Sequence, residues 1–503
     1  MTIAEAPPDG ARPREPGSQA AWTLLFWSAL AALLAARVAA LQVNGTDLFF
    51  DEAQYWSWSR EPAFGYYSKP PLIAWLIRAA TDVCGMGEAC VRLPSPLVHA
   101  ATAAAVFLTG FRLYGARVGA LSGLAFATLP GVSLSSGIIS TDVPLLFAWA
   151  LALLALALMF ETRAWTPALL LGFALGLGLN AKYAMAWFAM CLAVYLAFTP
   201  GRRAILKDPR LYAALAIALA LIAPNLYWNA QHSFATFSHT ADNAKWEGVP
   251  VHPGEALEFF AAQFGVFGPV LFASLLAVAW RWWKDGLAEP DRFLLAFSLP
   301  LLLVITVQAF LSRAHANWAA AAYVSATILV TATLARQLDG RWLKASFALH
   351  IAVAVLVVAG AALAGRIALP SGAADPYART LGWAALAAAT REEIAKARAR
   401  GEPFAAVVTD QRSVTAELLY YMRGEPAPVL AWRDAGPPQD HFELTRPFTS
   451  RTGEPVLLVS LKDARHITEN FAAAADLGAR DLPAGARDTR RVAFLALTGY
   501  RGR

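Results

Sequence analysis

Continuous apolar runs, each separated from the next by a short polar or charged stretch, organise most of this chain. Residues 21–43, 143–160, 211–228 and 347–363 are the clearest of them. About 20 consecutive apolar residues are enough to cross the hydrocarbon core of a bilayer. Backbone at that depth must satisfy its own hydrogen bonds, so the runs predict helices. They are continuously apolar rather than alternating, which argues against a barrel. The pattern predicts about eleven spans, near 21–43, 95–111, 118–133, 142–160, 165–180, 183–199, 211–229, 257–280, 293–311, 317–335 and 345–366.

The pattern changes at both ends. The first twenty residues are rich in proline, glycine and charge and predict a disordered tail. The run at 21–43 is long enough to be retained as a span, in contrast to a cleaved leader. After Arg366 the chain turns polar and predicts a soluble α/β domain. Its strands are expected at 405–409, 429–431, 456–460 and 492–497, with helices at 391–400 and 414–422. The expected organisation is a tail (1–20), a polytopic α-helical membrane domain (21–370) and an outward α/β domain (371–503).

Composition sharpens the class. A hydrophobic content of 57% with 16% charged residues excludes an ordinary soluble protein. The net charge of +6 is modest and its basic residues sit in short loops, so it implies membrane orientation and no nucleic acid. With the N-terminus in the cytoplasm, residues 12–14, 112–117, 163, 202–210, 281–292 and 336–344 hold fifteen Lys and Arg, against seven in the alternate loops. An odd number of spans then puts the C-terminal domain outside. Of the three cysteines, Cys191 lies in an apolar run; Cys84 and Cys90 flank an outward Gly-Met-Gly-Glu turn, as a disulfide or as two free thiols.

Chemistry concentrates in the first outward loop, residues 44–94. Asp51 and Glu52 follow the first span directly, with Tyr55, Trp56 and Trp58 behind them. A carboxylate at a lipid boundary needs a partner or a role. It can act as a general base on a hydroxyl, or the acidic pair can open an interfacial helix with the rings as an aromatic belt. Further on, Tyr66-Tyr67-Ser68-Lys69-Pro70-Pro71 ends in a double proline that opens an amphipathic helix. Lys69 at that start suits an anion such as a lipid phosphate, or snorkels to the interface. Asp142 opens the fourth span and can also cap it. Lys182 lies between two apolar runs. The polar stretch from Trp228 through His232 to His239 and Asn243 faces outward. Arg313 and His315 sit at an outer boundary, where arginine suits phosphate or anchors the helix.

An acidic pair after the first span, an aromatic stretch and Lys-Pro-Pro opening a helix resemble the membrane glycosyltransferases of GT-C fold. The branch is that of the protein O-mannosyltransferases and the lipid A aminoarabinose transferase, and the loop FFDEAQYWSWSREPAFGYYSKPPLIAWLI is similar to that of the rhizobial galacturonosyltransferases. The resemblance implies an essential Asp51, a second acid at Asp142 and a donor-phosphate contact at Lys69. Some relatives bind a divalent metal through a glutamate just before this lysine; Ser68 stands there in this chain. The expected reaction is inverting transfer of a sugar from a polyprenyl-phosphate carrier to lipid A, a glycan or a protein at the periplasmic face. Asp51, Glu52 and Asp142 are the catalytic candidates. Lys69, Lys182, Arg313 and His315 are expected on the phosphate, and Tyr55, Trp56, Tyr66 and Tyr67 on sugar or lipid. A carrier flippase, or a non-catalytic assembly partner, is the competing class; no repeated halves or paired broken helices favour a transporter.

Overall fold

The computed structural model describes residues 16–244, 251–336, 340–367 and 375–502. Most of the tail expected to be disordered, with Arg12 and Arg14, lies outside these residues, as do Lys245 and the expected domain boundary at 370/371. Six described helices are long and apolar enough to cross a membrane: Ser18–Val43, Glu88–Tyr114, Asp142–Glu161, Pro209–Gln231, Glu289–Leu311 and Arg341–Ala362. A seventh is counted if Pro253–Val266 and Pro269–Lys284, which meet at 116°, form one span. Thr166–Ala181, Tyr183–Phe198 and Ala322–Ala335 are apolar but shorter.

Local chemistry explains why the expected runs divide. The run at 118–133 breaks between Ala116–Thr128 and Pro130–Ser135, because Leu129 precedes a proline and is held extended (φ −47°, ψ 140°). The run at 257–280 turns at Gly268, whose φ of +89° suits glycine. A Cβ there would run into His350 Nε2. Pro269 then restarts the helix at its first turn.

In chain order the helices that bear on the site and its surroundings are α1 (Pro16–Val43), α2 (Phe50–Arg60), α3 (Leu72–Cys84), α4 (Asp142–Glu161), α5 (Ala235–Ala244), α6 (Arg341–Ala362), α7 (Trp383–Ala399) and α8 (Arg412–Tyr421). The C-terminal sheet comprises β1 (Ala406–Thr409), β2 (Val429–Ala431), β3 (Val456–Ser460), β4 (Phe471–Pro483) and β5 (Thr489–Tyr500), in the order β2-β1-β3-β5-β4. β1 pairs in parallel with β2 and β3, while β5 runs antiparallel between β3 and β4. Four of the five strands match the expected apolar runs. β4 is the addition: its Ala-rich sequence carries no strand pattern, and its register with β5 holds it as an edge.

The sheet domain is not tethered loosely. One apolar core takes Leu48, Trp58, Tyr66, Ile73 and Val91 from the first loop together with Ala416, Tyr420, Ala431 and Phe442 from the sheet domain. Polar ties ring it. Asp47 Oδ2 accepts from the amide of Trp383 at 2.7 Å, Tyr421 Oη accepts from Leu48 N at 2.8 Å, and Tyr67 Oη donates to Pro438 O at 2.9 Å.

Candidate active site

Phe49 caps α2, so Asp51 and Glu52 fall in its first turn, about 100° apart around the helix axis. That angle separates their fates. Glu52 turns inward and is spent on structure. Its carboxylate closes the capping box with Phe49 N (2.9 Å), accepts from Ile139 N (2.9 Å) and pairs with Arg92 at 2.9 Å, both side chains being 1% exposed. Arg92 also donates to the carbonyls of Thr46 and Asp47 at 3.2 and 2.7 Å. The geometry thus removes Glu52 from the reacting surface and makes it a positioning group.

Asp51 stays open to the surroundings, its side chain 36% exposed. Its Oδ1 accepts from Arg412 Nη1 at 2.8 Å, and the same nitrogen donates to Gln54 Oε1 at 2.8 Å. Asp51 and Gln54 share a helix face at i, i+3, which is why one guanidinium reaches both. Across the cleft, Asp142 opens α4 without serving as its cap. Thr141 occupies the cap position, and the Asp142 carboxylate instead accepts from Lys182 Nζ at 2.7 Å and Asn317 Nδ2 at 2.5 Å.

Lys69 completes the cluster. The turn Tyr66 N to Lys69 O (3.1 Å) and the two prolines deliver it ahead of α3. Its ammonium is half-buried and has no hydrogen bond or ion pair among the described residues. Burial, then the Lys182 charge, pulls it down to about 8, with Asp51 and Asp142 opposing and Arg412 adding to the shift. Lys69 therefore feels both acids and both paired cations at once. His315 stands nearby: burial, then Arg313, Arg379 and Lys182, holds its imidazole below the ordinary range.

The aromatic candidates divide. Tyr55 is buried against Trp58 (ring centres 5.2 Å apart), and burial, then the Asp51 carboxylate, pushes its phenol up. The Asp142 and Glu52 carboxylates push in the same direction. Tyr66 lies flat on Trp58 at 4.6 Å with its hydroxyl held among Trp58 O, Glu61 O and Ala63 N, and Trp56 packs edge-on against Tyr420 at 4.9 Å. The structure therefore gives Trp56 and Tyr66 to the joining core and not to a sugar surface. Tyr67 lines the cleft edge, 5.6 Å from the His239 ring on α5. Cys84 and Cys90 are disulfide-bonded at the far end of α3, away from the acids, and Cys191 is free and buried.

The chain is 38% identical to lipid A galacturonosyltransferase RgtD of Rhizobium johnstonii over 408 residues, 81% of this chain and 84% of that one. It belongs to the rhizobial galacturonosyltransferase family. Lipopolysaccharide core galacturonosyltransferase RgtA of the same organism is 30% identical over 187 residues, 36% of this chain and 37% of that one. Residues 68–228 match the dolichyl-phosphate-mannose-protein mannosyltransferase family. The fold matches ArnT from Cupriavidus metallidurans in the apo state with a TM-score of 0.66 at 16% identity, covering 95% of this chain and 98% of that one. ArnT bound to undecaprenyl phosphate matches at 0.64, also with 16% identity, over 94% and 98%. The protein is a multi-pass membrane glycosyltransferase of GT-C fold.

As a galacturonosyltransferase relative, the chain departs from a metal-binding pattern. Ser68 supplies no carboxylate beside Lys69, Asp51 and Asp142 already carry cations, and among the described residues no three His, Cys, Asp or Glu side chains gather around one point. These donors do not fit a divalent ion. Three cleft residues escaped the reading of the sequence: Asn317, Arg379 and Arg412. Arg412 carried a signal, since it begins the helix after a parallel strand, where α/β domains present functional groups.

Proposed function

We propose that the protein transfers a galacturonosyl group from a polyprenyl-phosphate carrier to lipid A at the periplasmic face of the bacterial inner membrane. The observation that carries this is one charge cluster in which the Asp51 carboxylate acts on the Lys69 ammonium, which has no ion pair among the described residues. Lys69 takes the phosphate of the donor. Asp51 orients the acceptor hydroxyl and accepts its proton. The acceptor oxygen forms a bond to the anomeric carbon as the bond from that carbon to the phosphate oxygen breaks. The electron pair leaves with the polyprenyl phosphate, whose charge Lys69 stabilises with Lys182 and Arg313. A single displacement inverts the anomeric centre.

Orientation follows from charge. α4 runs from Asp142 at the cleft to Glu161, which lies 3.9 Å from Arg112 in the basic loops. Arg202, Arg210 and Arg292 donate to the carbonyls of Phe160, Thr162 and Phe198 at that same end. Excess Lys and Arg belongs in the cytoplasm, which supports a cytoplasmic N-terminus and a periplasmic cleft and sheet domain. The test is transfer by the purified full chain in detergent, where no two-sided membrane exists. A mass gain of one galacturonosyl residue on lipid A is expected; no transfer in detergent, with carrier movement between leaflets once the chain is reconstituted in vesicles, would reverse the reading toward a flippase.

A further inference from the structure

The cleft holds more cationic capacity than the proposed chemistry uses. Lys182 and Arg412 are each paired with an acid, but Lys69, Arg313 and Arg379 have no ion pair among the described residues. Lys69 answers the donor phosphate. Arg379 is exposed and lies just ahead of α7 in the sheet domain. Its guanidinium carbon is 4.8 Å from the Phe49 ring centre and 5.3 Å from that of Phe50, and the Arg412 carbon is 4.9 Å from Phe50. The two rings are themselves 4.2 Å apart.

Ring faces hold a guanidinium in place without neutralising it or using its in-plane N–H groups. Arg412 commits one nitrogen, Nη1, to Asp51 and Gln54, and no other hydrogen bond of its guanidinium falls on described residues. Two planar forks on one aromatic platform, beside the acid that handles the acceptor, form a receptor for a planar anion close to the reacting atoms. A uronosyl group carries such an anion on the sugar ring that is being transferred.

We propose that Arg379, steadied on Phe49 and Phe50 and completed by Arg412, reads the carboxylate of the transferred uronosyl group and so determines sugar specificity. The assignment rests on the galacturonosyl reading above and adds a second anion subsite, separate from Lys69.

The experiment compares the purified full-length wild type, R379Q and R379K with polyprenyl-phosphate galacturonosyl and galactosyl donors, using lipid A with and without its phosphates. The wild type should prefer the uronosyl donor. R379Q should lose about 10- to 100-fold in kcat/KM on that donor, the worth of hydrogen bonds to a charged group. It should keep the galactosyl donor within about threefold. R379K should fall between, because it keeps the charge and loses the fork. A discriminating wild type whose preference survives R379Q overturns this assignment alone. So does an equal loss on both donors, or a loss that disappears with dephosphorylated lipid A, which would make Arg379 a reader of the acceptor. A wild type that handles both donors alike overturns the sugar reading and this assignment together.

Discussion

Arg412 Nη1 donates to Asp51 Oδ1 across 2.8 Å, joining residues 361 positions apart in the chain. The proposed base is thus held by the sheet domain and not by the membrane helices that precede it. Removing Arg412 should free the carboxylate without removing it. R412Q is expected to lower kcat by about 10- to 100-fold, the loss of one charge-assisted contact, and to weaken affinity for the uronosyl donor, whose carboxylate it helps to read. Steady-state kinetics with a fixed acceptor separates the two parameters.

Asp51 itself should matter more. D51N retains size and the α2 turn but cannot accept a proton, so transfer should fall by about 10²- to 10⁴-fold, the usual worth of a general base. Circular dichroism and detergent melting should match the wild type. Near-normal turnover would remove Asp51 from the mechanism.

Lys69 predicts an alkaline limit on donor binding. Its ammonium, pulled down to about 8, is charged below that pH and loses its proton as pH rises through it. Donor affinity should therefore weaken above about pH 8. K69R should hold affinity to higher pH, because a guanidinium stays charged. Isothermal titration with undecaprenyl phosphate across pH 7–10 reads the difference, and coincident profiles for both proteins would sink the idea.

Glu52 should behave as a structural residue. E52Q leaves Arg92 charged in a site where both side chains are 1% exposed. Breaking a buried pair from one side costs about 3–5 kcal/mol. A large drop in melting temperature should accompany any loss of activity, whereas D51N should show activity loss alone.

Glu417 supplies a stability prediction with a definite sign. It is fully buried on α8, with no hydrogen bond to either carboxylate oxygen among the described residues. Burial, then Asp47 and Glu52, raises its pKa, with Arg490 opposing. A carboxyl whose folded pKa is raised contributes stability below the ordinary glutamate range and loses it as pH rises. E417Q should therefore melt above the wild type at pH 8, and the gap should close toward pH 4. A gap that widens on acidification would contradict the burial argument.

Much of this was legible in the chain. Asp51, Lys69 and Asp142 announced themselves as charges at apolar boundaries, where bland residues cost less. The strands at 406–409, 429–431 and 456–460 followed from short apolar runs. What the chain concealed were relations across distance. Glu52 looked like a twin of Asp51 until Arg92, forty residues on, claimed it. Arg379 and Arg412 are ordinary surface arginines until the sheet domain docks. Trp56 and Tyr66 read as sugar or lipid contacts because nothing local shows that a second domain will bury them.

The core that runs from Leu48 and Trp58 into Tyr420 and Phe442 has a bearing on modularity. Segments far apart in the chain fold there as one piece, so neither can diverge in shape without the other. Chimeras built to exchange specificity between relatives should transplant residues 44–94 and 375–502 together. Moving either alone would leave a mismatched seam between the two segments.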